Sequence, residues 1–163
     1  MMEERVVALL KEAKMTLSAA ESCTGGLLSK RITDVSGASA VFPGGAVTYA
    51  IEAKIRILGV DAELLAQKGA VCPEVARQMA YGIRRLLGTD IGIGITGLAG
   101  PNGDGSAAKV GDVYIGFAAP EGAYVIELHS PIGRDAVRAL ACDRALEILC
   151  TYLQNRESFF PNM

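Results

Sequence analysis

The stretch Asp90-Ile91-Gly92-Ile93-Gly94-Ile95-Thr96 restricts the fold more than any other. Isoleucine and glycine alternate with the two-residue period of a β-strand. Such a strand belongs in an interior, where bare backbone meets close neighbours. The rest of the chain must therefore supply layers that cover it. Half of the 163 residues are apolar, enough for a sizeable core in one domain.

The covering elements can be read in order. Met2 to Lys14 places Val6, Val7, Leu9, Leu10 and Ala13 on one face and reads as an amphipathic helix. Met15 to Ala20 is a short strand, and Gly25 to Val35 a helix. Ala46-Val47-Thr48-Tyr49 forms a second strand, followed by a short helix over Ala53 to Leu58 closed by Gly59. Asp61 caps a helix over Ala62 to Lys68, and Cys72-Pro73 opens another that runs to Leu87. After the Ile-Gly strand, Gly97 to Ser106 is a loop too rich in glycine for helix or strand, of the kind that is usually functional or mobile. Val113 to Ala118 and Ala123 to His129 are strands of a hairpin turning at Pro120-Glu121-Gly122. Arg134 to Leu153 is the last long helix, and the tail from Asn155 is expected to fray. Helices interleaved with strands predict an α/β fold, a three-layer α/β/α sandwich with a mixed sheet and helices on both faces. Residues 1–163 read as one domain, with the site in loops beyond strand ends.

Charge and cysteine usage exclude several functions. A net charge of −2 gives no clustered basic face for nucleic acid. No apolar run approaches a membrane span and the acidic start lacks a signal-like segment, so a cytoplasmic protein is expected. The four cysteines form no Cys-x-x-Cys pair and lie far from the single His129, so no metal is expected. Gly92-Ile93-Gly94-Ile95-Thr96-Gly97 matches a dinucleotide fingerprint in letters only, because it lies inside a strand instead of opening a helix. His129 has no serine and acid arranged around it and reads as structural; Cys142 and Cys150 read as small core residues.

Two stretches carry chemistry. Ala20-Glu21-Ser22-Cys23-Thr24-Gly25-Gly26 stands where the first strand gives way to a helix. Ser22 or Cys23 would there face free backbone N–H groups, as an acyl-transfer nucleophile requires; equally, Ser22 or Thr24 would merely cap the helix. Tyr49 and Lys54 lie at the exit of the second strand. If that strand neighbours the first, both reach Ser22, and a lysine made neutral by burial would serve as its base in place of histidine. The plainer alternative is a solvated Lys54 and a core Tyr49.

Together with Gly94-Ile95-Thr96-Gly97-Leu98-Ala99-Gly100-Pro101, these stretches resemble the CinA C-terminal domain family. Gly111 and Gly133-Arg134-Asp135 extend the similarity to about residues 4 to 153, in the stand-alone form that lacks the N-terminal domain of CinA proteins. The resemblance implies an amidohydrolase that converts nicotinamide mononucleotide to nicotinate mononucleotide and ammonia in pyridine nucleotide recycling. Ser22 matches the nucleophile, Lys54 the general base and Tyr49 their supporting tyrosine. Backbone N–H groups from Cys23 to Gly25 would hold the oxyanion, with Thr24 helping. For the substrate phosphate, Thr96 and Gly97 to Gly100, including Ala99, offer backbone donors, and Arg134 offers a bidentate fork. Gly44-Gly45 would allow close approach near the ring. No cofactor is implied, and the partners are a pyridine mononucleotide substrate and a second copy in a homodimer. The chain departs from the family pattern at Ala50 and Ile51, where the family carries Ser and Asn, at Cys72, and slightly in Asn102-Gly103-Asp104-Gly105. A catalytically silent nucleotide-binding or regulatory module is the alternative that Ile51 supports.

Overall fold

The fold is taken from a computed structural model, which describes residues 1–160. The elements run α1 (Met2–Ala13), β1 (Leu17–Glu21), α2 (Leu27–Thr33), β2 (Gly44–Val47), α3 (Ile51–Leu58), α4 (Ala62–Lys68), α5 (Pro73–Leu87), β3 (Ile91–Gly97), β4 (Asp112–Ala119), β5 (Gly122–His129), α6 (Arg134–Gln154) and α7 (Arg156–Phe159). A single 3-10 turn, Ala38–Ala40, precedes β2. The five strands form one mixed sheet in the order β2-β1-β3-β4-β5. β2, β1 and β3 are parallel; β4 and β5 complete the sheet as an antiparallel hairpin.

Two cores cover the sheet. On one face α1, α2 and α6 bury Val6, Leu10, Leu28, Ile32, Ala141 and Leu146 against Leu17, Ile93, Ile115 and Phe117. On the other, Leu58 of α3, Leu65 of α4 and Val75, Met79 and Ile83 of α5 pack around Ala20. The alternation of β3 is divided between these faces. Its isoleucines enter the first core, while a side chain at Gly92 or Gly94 would stand 2.2 or 2.5 Å from the α5 carbonyls of Ala80 and Ala76. The glycines of the apparent dinucleotide motif thus let a helix approach the sheet.

Local signals place most boundaries. Asp61 accepts from Glu63 N–H at 2.9 Å and caps α4, Pro73 opens α5, and Gly59 and Gly88 close their helices with φ of 70° and 63°. Three expectations need correction. β1 starts at Leu17 and includes Glu21. β2 covers Gly44 to Val47 and stops before Thr48 and Tyr49, so α3 starts at Ile51 rather than Ala53. The described part of the tail is folded: Phe159 and Phe160 pack on Phe117 and Tyr152, with ring centroids 5.4 to 6.3 Å apart. Arg156 and Tyr152 both bind the Glu121 carboxylate, at 2.7 and 2.6 Å. The last three residues of that tail lie outside the described residues. His129 Nδ1–H donates to the Asp112 carboxylate at 2.7 Å, and the carboxylate raises its pKa. All four cysteines are buried and unbridged. Among the described residues no helix is long and apolar enough to cross a membrane.

Candidate active site

The carboxyl ends of the three parallel strands converge on one point, as in other open α/β sheets. β1 pairs with β2 and with β3 through its last residue, Glu21. Just beyond it, Ser22 N–H donates to Ile95 of β3 at 2.9 Å, and Thr48 N–H donates to Glu21 of β1 at 2.8 Å. The second strand therefore neighbours the first, the condition on which Lys54 reaches Ser22.

Because α3 starts at Ile51, Lys54 lies in its first turn. Helical side chains lean toward the N-terminus, which carries this one back over the turn it came from. Lys54 Nζ lies 2.8 Å from Ser22 Oγ, 2.7 Å from the Thr48 carbonyl and 3.1 Å from the Tyr49 carbonyl. The side chain is 1% exposed, and burial brings its pKa down from 10.5 to about 8. A neutral amine has two N–H bonds and one lone pair. Two carbonyls can take only the N–H bonds, so the lone pair is left for the Ser22 hydroxyl proton. This geometry allows a neutral Lys54 to take the proton of Ser22, as a base does for a nucleophile.

The helix-cap reading of Ser22 and Thr24 fails. The N-cap of α2 is Gly26, with φ 100° and no side-chain cap. Instead the buried Glu21 carboxylate accepts from Leu28 N–H at 2.9 Å, Ser29 N–H at 3.0 Å and Ser29 Oγ at 2.7 Å. Glu21 thereby takes the positive end of α2, so that helix end is not free for an oxyanion. The N–H groups of Cys23 and Thr24, in the turn before the helix, donate to no backbone carbonyl of the described residues and are the available donors. Cys23 follows Ser22 directly, but burial pushes its thiol up to about 11, and Lys54 contacts the serine. If the chain hydrolyses an amide as the resemblance implies, Cys23→Ala should keep ammonia release within a few-fold of wild type, because a thiol that stays protonated is a poor nucleophile.

Ser22, Lys54 and Tyr49 line a pocket of about 270 Å³, as do Thr96, Gly97, Ala99, Gly100 and Arg134. The contacts of several differ from expectation. Tyr49 accepts a hydrogen bond from Lys54 with its carbonyl; the residue is 63% exposed and its hydroxyl accepts from Arg134 Nη2 at 3.4 Å. The cause is the early end of β2, which leaves Tyr49 in the short connection to α3. Arg134 Nη1 donates to the Gly100 carbonyl at 2.7 Å and closes the glycine loop over the pocket. Thr96 Oγ1 donates to the Ala70 carbonyl at 2.7 Å, fixing the segment before α5. Thr24, Gly25 and Gly45 are not in the lining. Thr24 is fully buried with an unpartnered hydroxyl. A side chain at Gly45 would meet the Ala19 carbonyl at 2.6 Å, so that glycine serves packing between β1 and β2. Ala50 and Ile51 are likewise outside the lining, Ile51 being 48% exposed.

Sequence reasoning missed Ala70 and Val71, which line the pocket, and Glu21 and Arg138, which hold the Ser22 turn from behind. Asn102, Gly103 and Asp104 also line it; their place in a long glycine-rich loop was the available signal. A larger groove of about 740 Å³ between β5 and α6 is lined by Tyr124, Ile126, Leu128 and Phe159 and holds no nucleophile with a base.

The CinA C-terminal domain model matches residues 1–153. A CinA-like protein of Geobacter sulfurreducens is 49% identical over 144 residues, which cover 88% of this chain and 35% of that protein. The chain spans well under half the length of the curated relatives it matches. Among solved structures, a CinA superfamily protein of Klebsiella pneumoniae superposes with a TM-score of 0.90 at 33% identity, over 94% of this chain and 96% of that one. A competence/damage inducible protein of Agrobacterium tumefaciens gives 0.89 at 35% identity, over 94% of each. Both the sequence match over nearly the whole chain and the shared architecture place it in one family: the chain belongs to the CinA C-terminal domain family.

Proposed function

We propose that the chain is an amidohydrolase that converts nicotinamide mononucleotide to nicotinate mononucleotide and ammonia. The observation that carries the reading is the buried Lys54 amine, 2.8 Å from Ser22 Oγ and held by two carbonyls. Ser22 Oγ bonds to the carboxamide carbon as its proton passes to Lys54 Nζ. The carbonyl electron pair moves onto oxygen, which the Cys23 and Thr24 N–H groups receive. When the tetrahedral species collapses, the C–N bond breaks and Lys54 returns the proton to the departing nitrogen, giving ammonia and an ester on Ser22. Water then attacks the ester, losing its proton to Lys54, and Ser22 leaves as the alcohol. An amine with a pKa of about 8 suits both halves of this cycle near neutral pH.

Arg134 supports a phosphate-bearing substrate. It is exposed, forms no ion pair among the described residues, and stands at the mouth of the pocket beside Tyr49 and Gly100. A guanidinium matches phosphate in two parallel hydrogen bonds. The same reading extends, on family resemblance, to a homodimer acting in pyridine nucleotide recycling. Ammonia release from nicotinamide mononucleotide tests it directly, with nicotinamide as comparator. The wild type is expected to turn over the mononucleotide with kcat/KM at least about tenfold above that for nicotinamide. No release at high enzyme concentration overturns the proposal.

A further inference from the structure

Arg138 lies one helical turn after Arg134 on α6, behind the Ser22 turn. It is half-buried, and among the described residues no carboxylate pairs with it. Its Nε is buried without an acceptor. A cation that surrenders water ordinarily gains an anion in return. This one gains a backbone carbonyl: Nη2 donates to Thr24 O at 3.2 Å. Room for it depends on Gly25, where a side chain would stand 3.1 Å from Nη2 and where φ is +56°.

The carbonyl it holds begins a chain of hydrogen-bonded peptides. Thr24 O belongs to the same peptide unit as Gly25 N–H, which donates to Ser22 O at 3.0 Å. Ser22 O in turn belongs to the same unit as Cys23 N–H, one of the two free donors of the turn. In a trans peptide the C=O and N–H point opposite ways, so each link fixes the direction of the next. Hydrogen bonds in series also polarise one another in a poorly solvated setting. Leu27 N–H, 2.9 Å from Thr24 O, fixes the same carbonyl from the helix side. The positive potential of Arg138 reaches the turn, since it is one of the influences that oppose burial at the Cys23 thiol.

We propose that Arg138 is a positioning residue for amide hydrolysis: through the Thr24-Gly25 and Ser22-Cys23 peptides it aims and polarises the Cys23 N–H that receives the oxyanion. The inference rests on the amidohydrolase reading for its chemistry. Arg138 touches no substrate, so its contribution falls on kcat and not on binding.

The test compares wild type, Arg138→Lys and Arg138→Ala in ammonia release from nicotinamide mononucleotide, together with the 15N–1H amide resonances of each protein. Arg138→Ala is expected to lose about 10²-fold in kcat, the scale of one oxyanion donor, with KM within twofold. Arg138→Lys, which keeps a cation within reach of one carbonyl, is expected to recover part of that loss. The Cys23 and Thr24 amide resonances should move in Arg138→Ala while those of α5 and β4 stay in place. Unchanged kcat in Arg138→Ala overturns the proposal, as does a loss matched by a fall in folded fraction. If the wild type releases no ammonia, the amidohydrolase reading fails by itself and the resonances decide the placement of Arg138: unmoved Cys23 and Thr24 amides overturn it.

Discussion

Lys54→Met and Ser22→Ala should each lower turnover of nicotinamide mononucleotide by about 10⁴-fold or more, and the double variant should be no worse than either. The two groups act as one unit. Without Lys54 the Ser22 hydroxyl keeps its proton; without Ser22 the lysine has nothing to activate. Lys54→Arg separates a base from a mere cation, because a guanidinium stays protonated and cannot accept the proton. It should be as inactive as Lys54→Met. The wild-type pH profile follows from the same amine. Burial lowers its pKa from 10.5 to about 8, and only the neutral form is a base. Wild-type kcat/KM should therefore climb as pH rises toward about 8 and level off above it. Full activity well below that pH would rule out Lys54 as the base. Stability moves in the same sense. The folded chain binds the Lys54 proton less tightly than the unfolded chain, so its contribution is complete above 10.5 and is lost as pH falls through about 8. Thermal unfolding distinguishes lost chemistry from lost structure. Ser22→Ala removes one hydroxyl and should melt near wild type. Lys54→Met leaves the Thr48 and Tyr49 carbonyls without their donor, each at a cost of about 1–3 kcal/mol, offset in part because a buried amine is removed.

How far the site was legible in the sequence depended on the range of the interaction involved. Ser22, Lys54 and the Gly97–Gly100 turn lie in short stretches whose residue types are unusual for a strand exit, and all of them line the same pocket. The β2–α3 boundary was misplaced because Val47-Thr48-Tyr49 has strand-forming residues throughout. Thr48 does continue the ladder by one bond to Glu21, while its carbonyl has already turned to Lys54. Glu21 looked like an ordinary polar residue at a strand end. Its role depends on α2 folding back over it, a contact seven residues away that no capping pattern describes. Arg138 acts on a residue 114 positions earlier, a separation at which one sequence carries no local signal. The tail shows the same limit. Phe159 and Phe160 find partners in Phe117 and Tyr152, residues that only the folded sheet and α6 bring together. The Ile-Gly alternation of β3 was legible as a buried strand with close neighbours, but which element approached it was not.

That approach makes Gly94 and Gly116 positions where one added methyl group should damage the fold severely. A Cβ at Gly116 would stand 2.1 Å from the Ala76 carbonyl oxygen, and one at Gly94 would stand 2.5 Å from the same atom and 2.6 Å from Ala80 N. These obstacles are helix backbone, not flexible side-chain ends. α5 cannot retreat, because its outer side is equally close to α3: a Cβ at Gly82 would meet the Leu58 carbonyl at 2.2 Å. The helix is held between the bare backbone of the sheet and the Leu58 end of α3, and a densely packed interior transmits such a displacement instead of absorbing it. Gly116→Ala and Gly94→Ala should each cost about 4 kcal/mol or more, at the exceptional end for single substitutions. For a domain of this size that lowers Tm by about 8–16 °C, and Gly116→Val should yield no folded protein. Gly103→Ala is the control, since nothing lies within 4 Å of a Cβ there; its Tm should match wild type, and a Gly116→Ala protein that also melts at the wild-type temperature would show that α5 can shift freely. The damage should extend to chemistry in the fraction that still folds. The segment leading into α5 carries Ala70 and Val71, which line the pocket, and the Ala70 carbonyl holds the Thr96 hydroxyl at 2.7 Å. An α5 pushed outward pulls that wall away from Ser22, so Gly94→Ala at a temperature where it is folded should show a raised KM for the mononucleotide.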